Sequence, residues 1–181
     1  MDTMICNLSA VLFDERELRT RICELGTEIS KAYTGKNPVL IGILKGAVVF
    51  LSDLVRHITI PITLDFMAIS SYADSAQSSG LIKLTKDISI DIKGRHVIIV
   101  EDILDTGLSL QFLKDHLGKF EPASVASCVL LDKPKAHKIE IPIEYLGFEI
   151  GNEFVVGYGL DFNERYRNLP YVGILKEEVY K

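Results

Sequence analysis

The run Val97-Ile98-Ile99-Val100, followed by Glu101-Asp102-Ile103-Leu104-Asp105-Thr106-Gly107-Leu108-Ser109-Leu110, constrains this chain more than any other feature. Four branched apolar residues in succession have the length and side-chain shape of a strand buried on both faces, as in parallel sheets covered by helices. Two adjacent acids close the run, a third follows, and a Thr-Gly-x-Ser turn leads into a segment that reads as helix. Acids at the end of such a strand lie at the carboxyl edge of the sheet, where open α/β folds bind ligands. Thr106, Gly107 and Ser109 supply a backbone free to turn, two hydroxyls and the amide N–H groups of a helix start, which together suit an anion. Carboxylates beside an anion cradle point to a metal-bridged sugar phosphate.

The flanking sequence repeats the strand–helix alternation. Asp14 and Glu17 make a capping-box start, and Leu18, Ile22, Leu25, Ile29 and Tyr33 recur at helical spacing, ending near Gly35. Residues 39–44 read as a buried strand, broken by Lys45-Gly46, and residues 47–58 as a helix on the sheet. A second strand is expected at 62–69. The small polar stretch 70–80 cannot pack a core and is expected to be a mobile loop. A strand returning at 81–86 makes the pair an antiparallel flap. Residues 97–100 form the central strand, 108–119 a helix and 124–131 a further strand. After Pro134 the pattern loses its helices, and short β-like runs at 144–148, 154–158 and 171–175 suggest an accessory lobe. The fold class is therefore α/β: a parallel sheet with flanking helices, a flexible antiparallel flap and a small hood lobe. With no repeat or linker, residues 1–181 read as a single domain.

At 181 residues and 48% hydrophobic, the chain can bury roughly 70% of its unfolded surface without staples. No apolar run approaches the ~20 residues of a membrane span, and the N-terminus lacks the pattern of a secretory signal. Cys6, Cys23 and Cys128 are odd in number and lack metal-ligand spacing, which favours a reducing compartment and a cytoplasmic location. A net charge of −5 argues against general nucleic-acid binding. His57, His96, His116 and His137 are scattered and read as structural or surface residues.

An acid after a strand is ordinarily a solvated loop residue. Glu101, Asp102 and Asp105 depart from that expectation because like charges crowded at a buried strand's end repel and resist desolvation unless a cation is near. Their segment resembles the ribose-phosphate signature of the type I phosphoribosyltransferases, which use phosphoribosyl pyrophosphate. Further blocks in the same order resemble the hypoxanthine–guanine (6-oxopurine) branch: Leu44-Lys45-Gly46, Ser71-Tyr72, Leu131-Asp132-Lys133-Pro134, Phe154-Val155-Val156-Gly157-Tyr158 and Leu160-Asp161-Phe162-Asn163-Glu164-Arg165-Tyr166-Arg167. They span residues 44–167, and the ordered set is far more specific than any one block.

The resemblance implies transfer of a 5-phosphoribosyl group to N9 of hypoxanthine or guanine, with Mg²⁺ as cofactor. It implies that Asp105, Thr106, Gly107, Leu108 and Ser109 wrap the 5′-phosphate, with Ile103 and Leu104 leading into the cradle. Glu101 and Asp102 would hold the ribose hydroxyls, directly or through Mg²⁺, and Asp105 would be the general base at purine N7. From the sequence alone Lys45 is an ordinary surface lysine; in the family the Lys-Gly pair binds pyrophosphate through backbone N–H groups, and the peptide before the lysine is often cis. The family often has a second glycine where this chain has Ala47, an added methyl that the turn should tolerate.

Ser71 and Tyr72 open the polar loop, implied to be a lid that excludes water. Lys133, in a lysine-rich stretch that would otherwise be a solvated patch, is implied to donate to purine O6, for which adenine offers no acceptor. Phe154 would stack on the base instead of serving only the core, and Val155 would contact the base edge. Asp161 would serve the N2 side and a second Mg²⁺, and Arg167 the pyrophosphate, for which its fork is suited. Gly157-Tyr158-Gly159 imitates the start of a dinucleotide fingerprint but lacks its third glycine. The implied assembly is a homodimer or homotetramer. A transferase for xanthine, adenine or orotate, and a regulator that senses the sugar pyrophosphate, are the alternative readings. Lys133 with Phe154 weighs against adenine and orotate, and Asp105 with Arg167 against the regulator.

Overall fold

A computed structural model describes residues 3–71 and 82–181. Its main sheet has six strands, numbered in chain order with the rest of the chain: β2 (Val39–Leu44), β3 (Thr63–Ser71), β4 (Ile82–Lys86), β5 (His96–Leu104), β6 (Ser124–Asp132) and β7 (Tyr145–Glu149), in the order β4-β3-β2-β5-β6-β7. All neighbours are parallel except β3 and β4, which pair antiparallel as the expected flap. A second, antiparallel sheet, β1 (Leu8–Phe13), β9 (Val172–Leu175) and β8 (Val155–Val156), forms the accessory lobe. The lid expected over 70–80 falls, from Tyr72 onward, outside the described residues.

Helix α2 (Glu15–Ala32) follows the short α1 (Thr3–Cys6) and starts with the expected capping box: Glu17 N–H donates to Asp14 and Asp14 N–H to Glu17. It packs with α3 (Ala47–Val55) on one face of the sheet, while α4 (Leu108–Gly118) covers the other. Strand β5 shows why both faces are apolar. Ile98 and Val100 join the cluster of Leu18, Ile22, Phe50 and Leu54, whereas Val97 and Ile99 join that of Leu110, Leu113 and Leu117. Period-two alternation thus feeds two cores from one strand.

The chain leaves β2 through α3 toward β3 and leaves β5 through α4 toward β6, so connections diverge between β2 and β5. That divergence opens a crevice at the carboxyl edge, the usual ligand position of an open α/β sheet.

Three expectations need correction. The strand expected at 97–100 continues to Leu104, so Glu101 and Asp102 lie within β5 rather than after it. Pairing with β6 as far as Leu104↔Asp132 keeps the backbone extended despite the acids. The run at 144–148 is β7 of the main sheet, not part of the lobe. The lobe instead recruits β1, an N-terminal strand with no expectation attached, and a short helix α5 (Glu177–Tyr180) lies beyond Pro134. Among the described residues, no helix is long and apolar enough to cross a membrane.

Candidate active site

Three adjacent strands, β2, β5 and β6, end at the same edge and deliver the candidate residues side by side. After β2 the Leu44–Lys45 peptide is cis, and Gly46 begins the approach to α3. β2 and β5 stay paired to Gly42↔Val100. Beyond that level Gly46 lies so close to Asp102 that a Cβ there would run into the carboxylate. Lys45 projects outward and its Nζ donates to Glu164 at 2.9 Å, an exposed pair worth little by itself. Ala47 is buried beneath the turn, so its methyl is accommodated.

Glu101 is almost fully buried, and among the described residues its Oε2 has no hydrogen-bond partner. Burial and, secondarily, the Asp102 charge push its carboxyl up to about 8. Asp102, half-buried, is pushed up to about 6 by burial. Its own backbone N–H, that of Ile103 and the Arg167 cation pull it back, while Asp161 pushes it up. A buried, unpartnered carboxylate oxygen is costly unless a cation or hydrogen-bond donor reaches it.

Leu104 is buried and closes the strand, Ile103 is half-buried, and Asp105 is exposed at the mouth. Gly107, at φ 83°, is the N-cap of α4 and offers no side-chain cap, so the first-turn N–H groups of the helix have no side-chain acceptor there. Thr106, Leu108 and Ser109 are half-buried around them. Backbone donors at a helix start are an arrangement suited to an anion. The next strand closes its rim: Lys133 N–H donates to Leu104 C=O at 2.9 Å, and Lys138 N–H to Thr106 C=O at 3.0 Å. Lys133 thereby stands next to the turn that begins at Asp105.

The accessory lobe supplies the opposite wall. Arg167 Nη1 donates to Gly159 C=O at 2.8 Å, Nη2 pairs with Asp161 at 2.8 Å and with Glu164 at 3.3 Å, and Nε is buried without a partner among the described residues. Gly159, at φ 102°, packs so tightly on the Gly46 carbonyl that a side chain would collide with it. Phe154 lies edge-on to Phe162 at 5.6 Å and stacks on Tyr180 of α5 at 4.8 Å; Val155 is buried in β8 against Ile174.

The structure therefore joins Lys45, Gly46, Asp102, Asp161 and Arg167 in one contact network, with Glu101 beside Asp102 in β5. It groups Leu104 to Ser109 with Lys133, and places Phe154 and Val155 in the lobe. Ser71 closes β3, and Tyr72 lies outside the described residues. Among the described residues, no group of three His, Cys, Asp or Glu side chains is arranged to hold a metal by itself. Mg²⁺, however, is commonly held by one or two carboxylates together with substrate phosphates, and the orphaned Glu101 oxygen beside Asp102 fits such a partial site.

Sequence reasoning missed Glu164, which bridges Lys45 and Arg167, and Gly159. Glu164 sat within a matched block as an unremarked acid, and Gly159 was visible only as half of a failed fingerprint. Three of the four histidines read as structural or surface residues make structural bonds: His96 with Ser124, His116 with Asp87 and His137 with the buried Asp132.

Comparison with known proteins bears on the family. The phosphoribosyl transferase domain model matches residues 12–163. A hypoxanthine-guanine phosphoribosyltransferase of Streptococcus pneumoniae is 51% identical over 174 residues, covering 96% of this chain and 97% of that protein. The crystal structure of a hypoxanthine phosphoribosyltransferase from Staphylococcus aureus superposes with a TM-score of 0.95 at 43% identity, covering 99% of this chain and 98% of the other. The hypoxanthine phosphoribosyl transferase of Trypanosoma cruzi gives a TM-score of 0.90 at 40% identity, with 96% and 94% covered. The chain belongs to the phosphoribosyl transferase family, in its hypoxanthine–guanine branch.

Proposed function

We propose that residues 1–181 act as one phosphoribosyltransferase domain that transfers the 5-phosphoribosyl group of phosphoribosyl pyrophosphate to N9 of hypoxanthine or guanine. The products are IMP or GMP and pyrophosphate, the chemistry of purine salvage. The observation that carries this reading is the close meeting of Gly46, Asp102, Gly159 and Arg167, with β5 running on from Asp102 to the donor-lined start of α4, which supports a pyrophosphate site and a monophosphate cradle.

In this reading the N–H groups after Gly107 hold the 5′-phosphate, with the Thr106 and Ser109 hydroxyls nearby. Glu101 and Asp102 would face the ribose hydroxyls and, together with the substrate, hold one Mg²⁺, while Asp161 would serve the N2 side of the base and a second Mg²⁺ through water. When bound, Mg²⁺ neutralises charge on the pyrophosphate and makes it a better leaving group. Backbone at Lys45–Gly46 and the Arg167 fork grip that leaving group, so C1′ gains cationic character as the bond to oxygen breaks. Asp105, exposed at the mouth, takes the N7 proton while N9 attacks C1′. Lys133 donates to O6, Phe154 stacks on the ring, and Val155 presents backbone to the base edge. Ser71 and Tyr72 belong to the lid that excludes water. A homodimeric or homotetrameric assembly and cytoplasmic residence belong to the same reading.

Mixing the protein with phosphoribosyl pyrophosphate, Mg²⁺ and each of guanine, hypoxanthine, xanthine and adenine tests it. Pyrophosphate release with the two 6-oxopurines and almost none with adenine is expected. No release with guanine would sink the proposal.

A further inference from the structure

The Gly157-Tyr158-Gly159 segment has no part in a dinucleotide fingerprint, yet it is built unusually. Tyr158 is only 6% exposed and adopts φ 52°, flanked by two glycines of positive φ. Its hydroxyl donates to Asp53 Oδ2 at 2.5 Å, across 105 residues of sequence. Burial and this carboxylate neighbour push the phenol well above its ordinary pKa, so it stays a donor at any physiological pH.

What Tyr158 joins is more informative than the bond itself. Asp53 sits on α3, the helix that begins at Ala47 immediately after the Lys45–Gly46 turn. On the other side, Tyr158 N–H donates to Leu169 C=O at 2.9 Å and Gly159 N–H to Arg167 C=O at 3.0 Å. Arg167 returns a bond from Nη1 to Gly159 C=O at 2.8 Å. Gly159 in turn rests on the Gly46 carbonyl. One hydroxyl therefore ties the helix behind the turn to the loop that carries the arginine. Packing alone does not require it, since a phenylalanine fills the same ring volume; a buried hydroxyl is tolerated because it is partnered. A cavity of about 650 Å³ on the α2/α3 side is lined by Asp53, Tyr158 and Arg167.

We propose that the Tyr158–Asp53 hydrogen bond is a positioning clasp for the pyrophosphate half of the site. It sets the distance between the Lys45–Gly46 turn and Arg167 without touching the substrate. The inference rests on the phosphoribosyl-transfer reading above. Its kinetic consequence is selective because a misplacement of about 1 Å is expensive only for the group that is misplaced.

The test separates the two halves of the site. Tyr158→Phe is expected to raise the KM for phosphoribosyl pyrophosphate and the Kd for Mg²⁺–pyrophosphate about fivefold to tenfold. The KM for guanine and the Kd for GMP should change less than about twofold. Asp53→Ala should reproduce the pattern, the double variant should be no worse than either single one, and Asp53→Asn, which keeps an acceptor, should restore the wild-type constants. Equal shifts for guanine and for the sugar pyrophosphate, additive single variants, or a lowered melting temperature with unchanged pyrophosphate binding would each make Tyr158 merely structural and overturn the clasp. If Tyr158→Phe fails to fold, Asp53→Ala against Asp53→Asn carries the same comparison. Pyrophosphate titration is read without turnover, so a wild-type protein that lacks activity counts against the functional reading and leaves the clasp separately measurable.

Discussion

At the end of β5, every residue from His96 to Leu104 is regular strand, and the turn after it feeds a helix. Across the site, residues 154–167 contain only the two strand residues Val155 and Val156 and isolated bridges. Their backbone turns through left-handed conformations at Tyr158, Asn163, Glu164 and Tyr166, which non-glycine residues rarely adopt. The first region places chemistry by extending secondary structure past the point where a core strand would stop. The second places it by backbone bends held open by close contacts. A substitution at β5 should therefore change charge or proton transfer within an intact frame, whereas one in the lobe should disturb the frame first.

Asp105→Asn gives the largest expected effect and tests the first half of that contrast. Asp105 is exposed and makes no bond that holds the fold together among the described residues, so the protein should remain stable and still bind GMP. The kcat should fall about 10²- to 10⁴-fold if Asp105 is the general base. Near-normal turnover in a steady-state assay removes it from that role.

Gly46→Ala and Gly159→Ala probe one junction from its two sides. At position 46 the new methyl meets the end of the Asp102 side chain, which can swing away, and the backbone is an ordinary αR conformation. The fold should survive with a displaced carboxylate and a KM for the sugar pyrophosphate raised about tenfold or more. At position 159 the methyl meets the Gly46 carbonyl with φ 102°, so neither conformation nor space is available. Thermal or urea unfolding should then show a loss of about 2–4 kcal/mol. Equal stability losses in the two variants would break the contrast.

Lys133→Ala falls between the regions, because Lys133 is anchored to Leu104 of β5 while its proposed partner is the base. Removing the cation should cut discrimination between guanine and adenine about tenfold to a hundredfold, the scale of a lost charged hydrogen bond. Unchanged selectivity in competition assays moves recognition to the lobe alone.

The same contrast explains what could be read from the residues. The apolar run at 97–100, the capping box at Asp14 and Glu17, and the break at Lys45-Gly46 are local signals, and the corresponding strands and helices lie where they indicate. The continuation of β5 through Glu101 was hidden because acids are poor strand formers; pairing with β6 overrides that propensity. In the lobe little was legible. β1 pairs with a strand more than 150 residues away, and Leu8 to Phe13 alone carries no sign of that partner. Glu164 and Gly159 matter through contacts with Lys45 and Gly46 that only the tertiary arrangement creates. The roles assigned to individual site residues came from the ordered family blocks, which periodicity does not supply.

The smallest expected effect reverses the usual direction of an active-site substitution. Glu101 is pushed up to about 8 in the folded chain, above its ordinary value of 4.5, by burial and by Asp102. A raised folded-state pKa means that the native protein holds the proton more tightly than the unfolded one. The stability contributed by the protonated carboxyl is therefore fully present below pH 4.5 and is lost as pH rises through 8. Glu101→Gln keeps the shape and cannot ionise. Without ligand it should match the wild type near pH 4.5 and exceed it by about 1–3 kcal/mol at pH 9, as read from denaturant unfolding. Its transferase activity should nevertheless fall, because the site needs the charge that the fold resists. A pH-independent difference, or a variant less stable than wild type at pH 9, would show that the β5 frame bears this carboxylate without strain. The distinction between an undisturbed strand and a strained lobe would then hold without exception; the expected result places a charge penalty inside the most regular strand of the molecule.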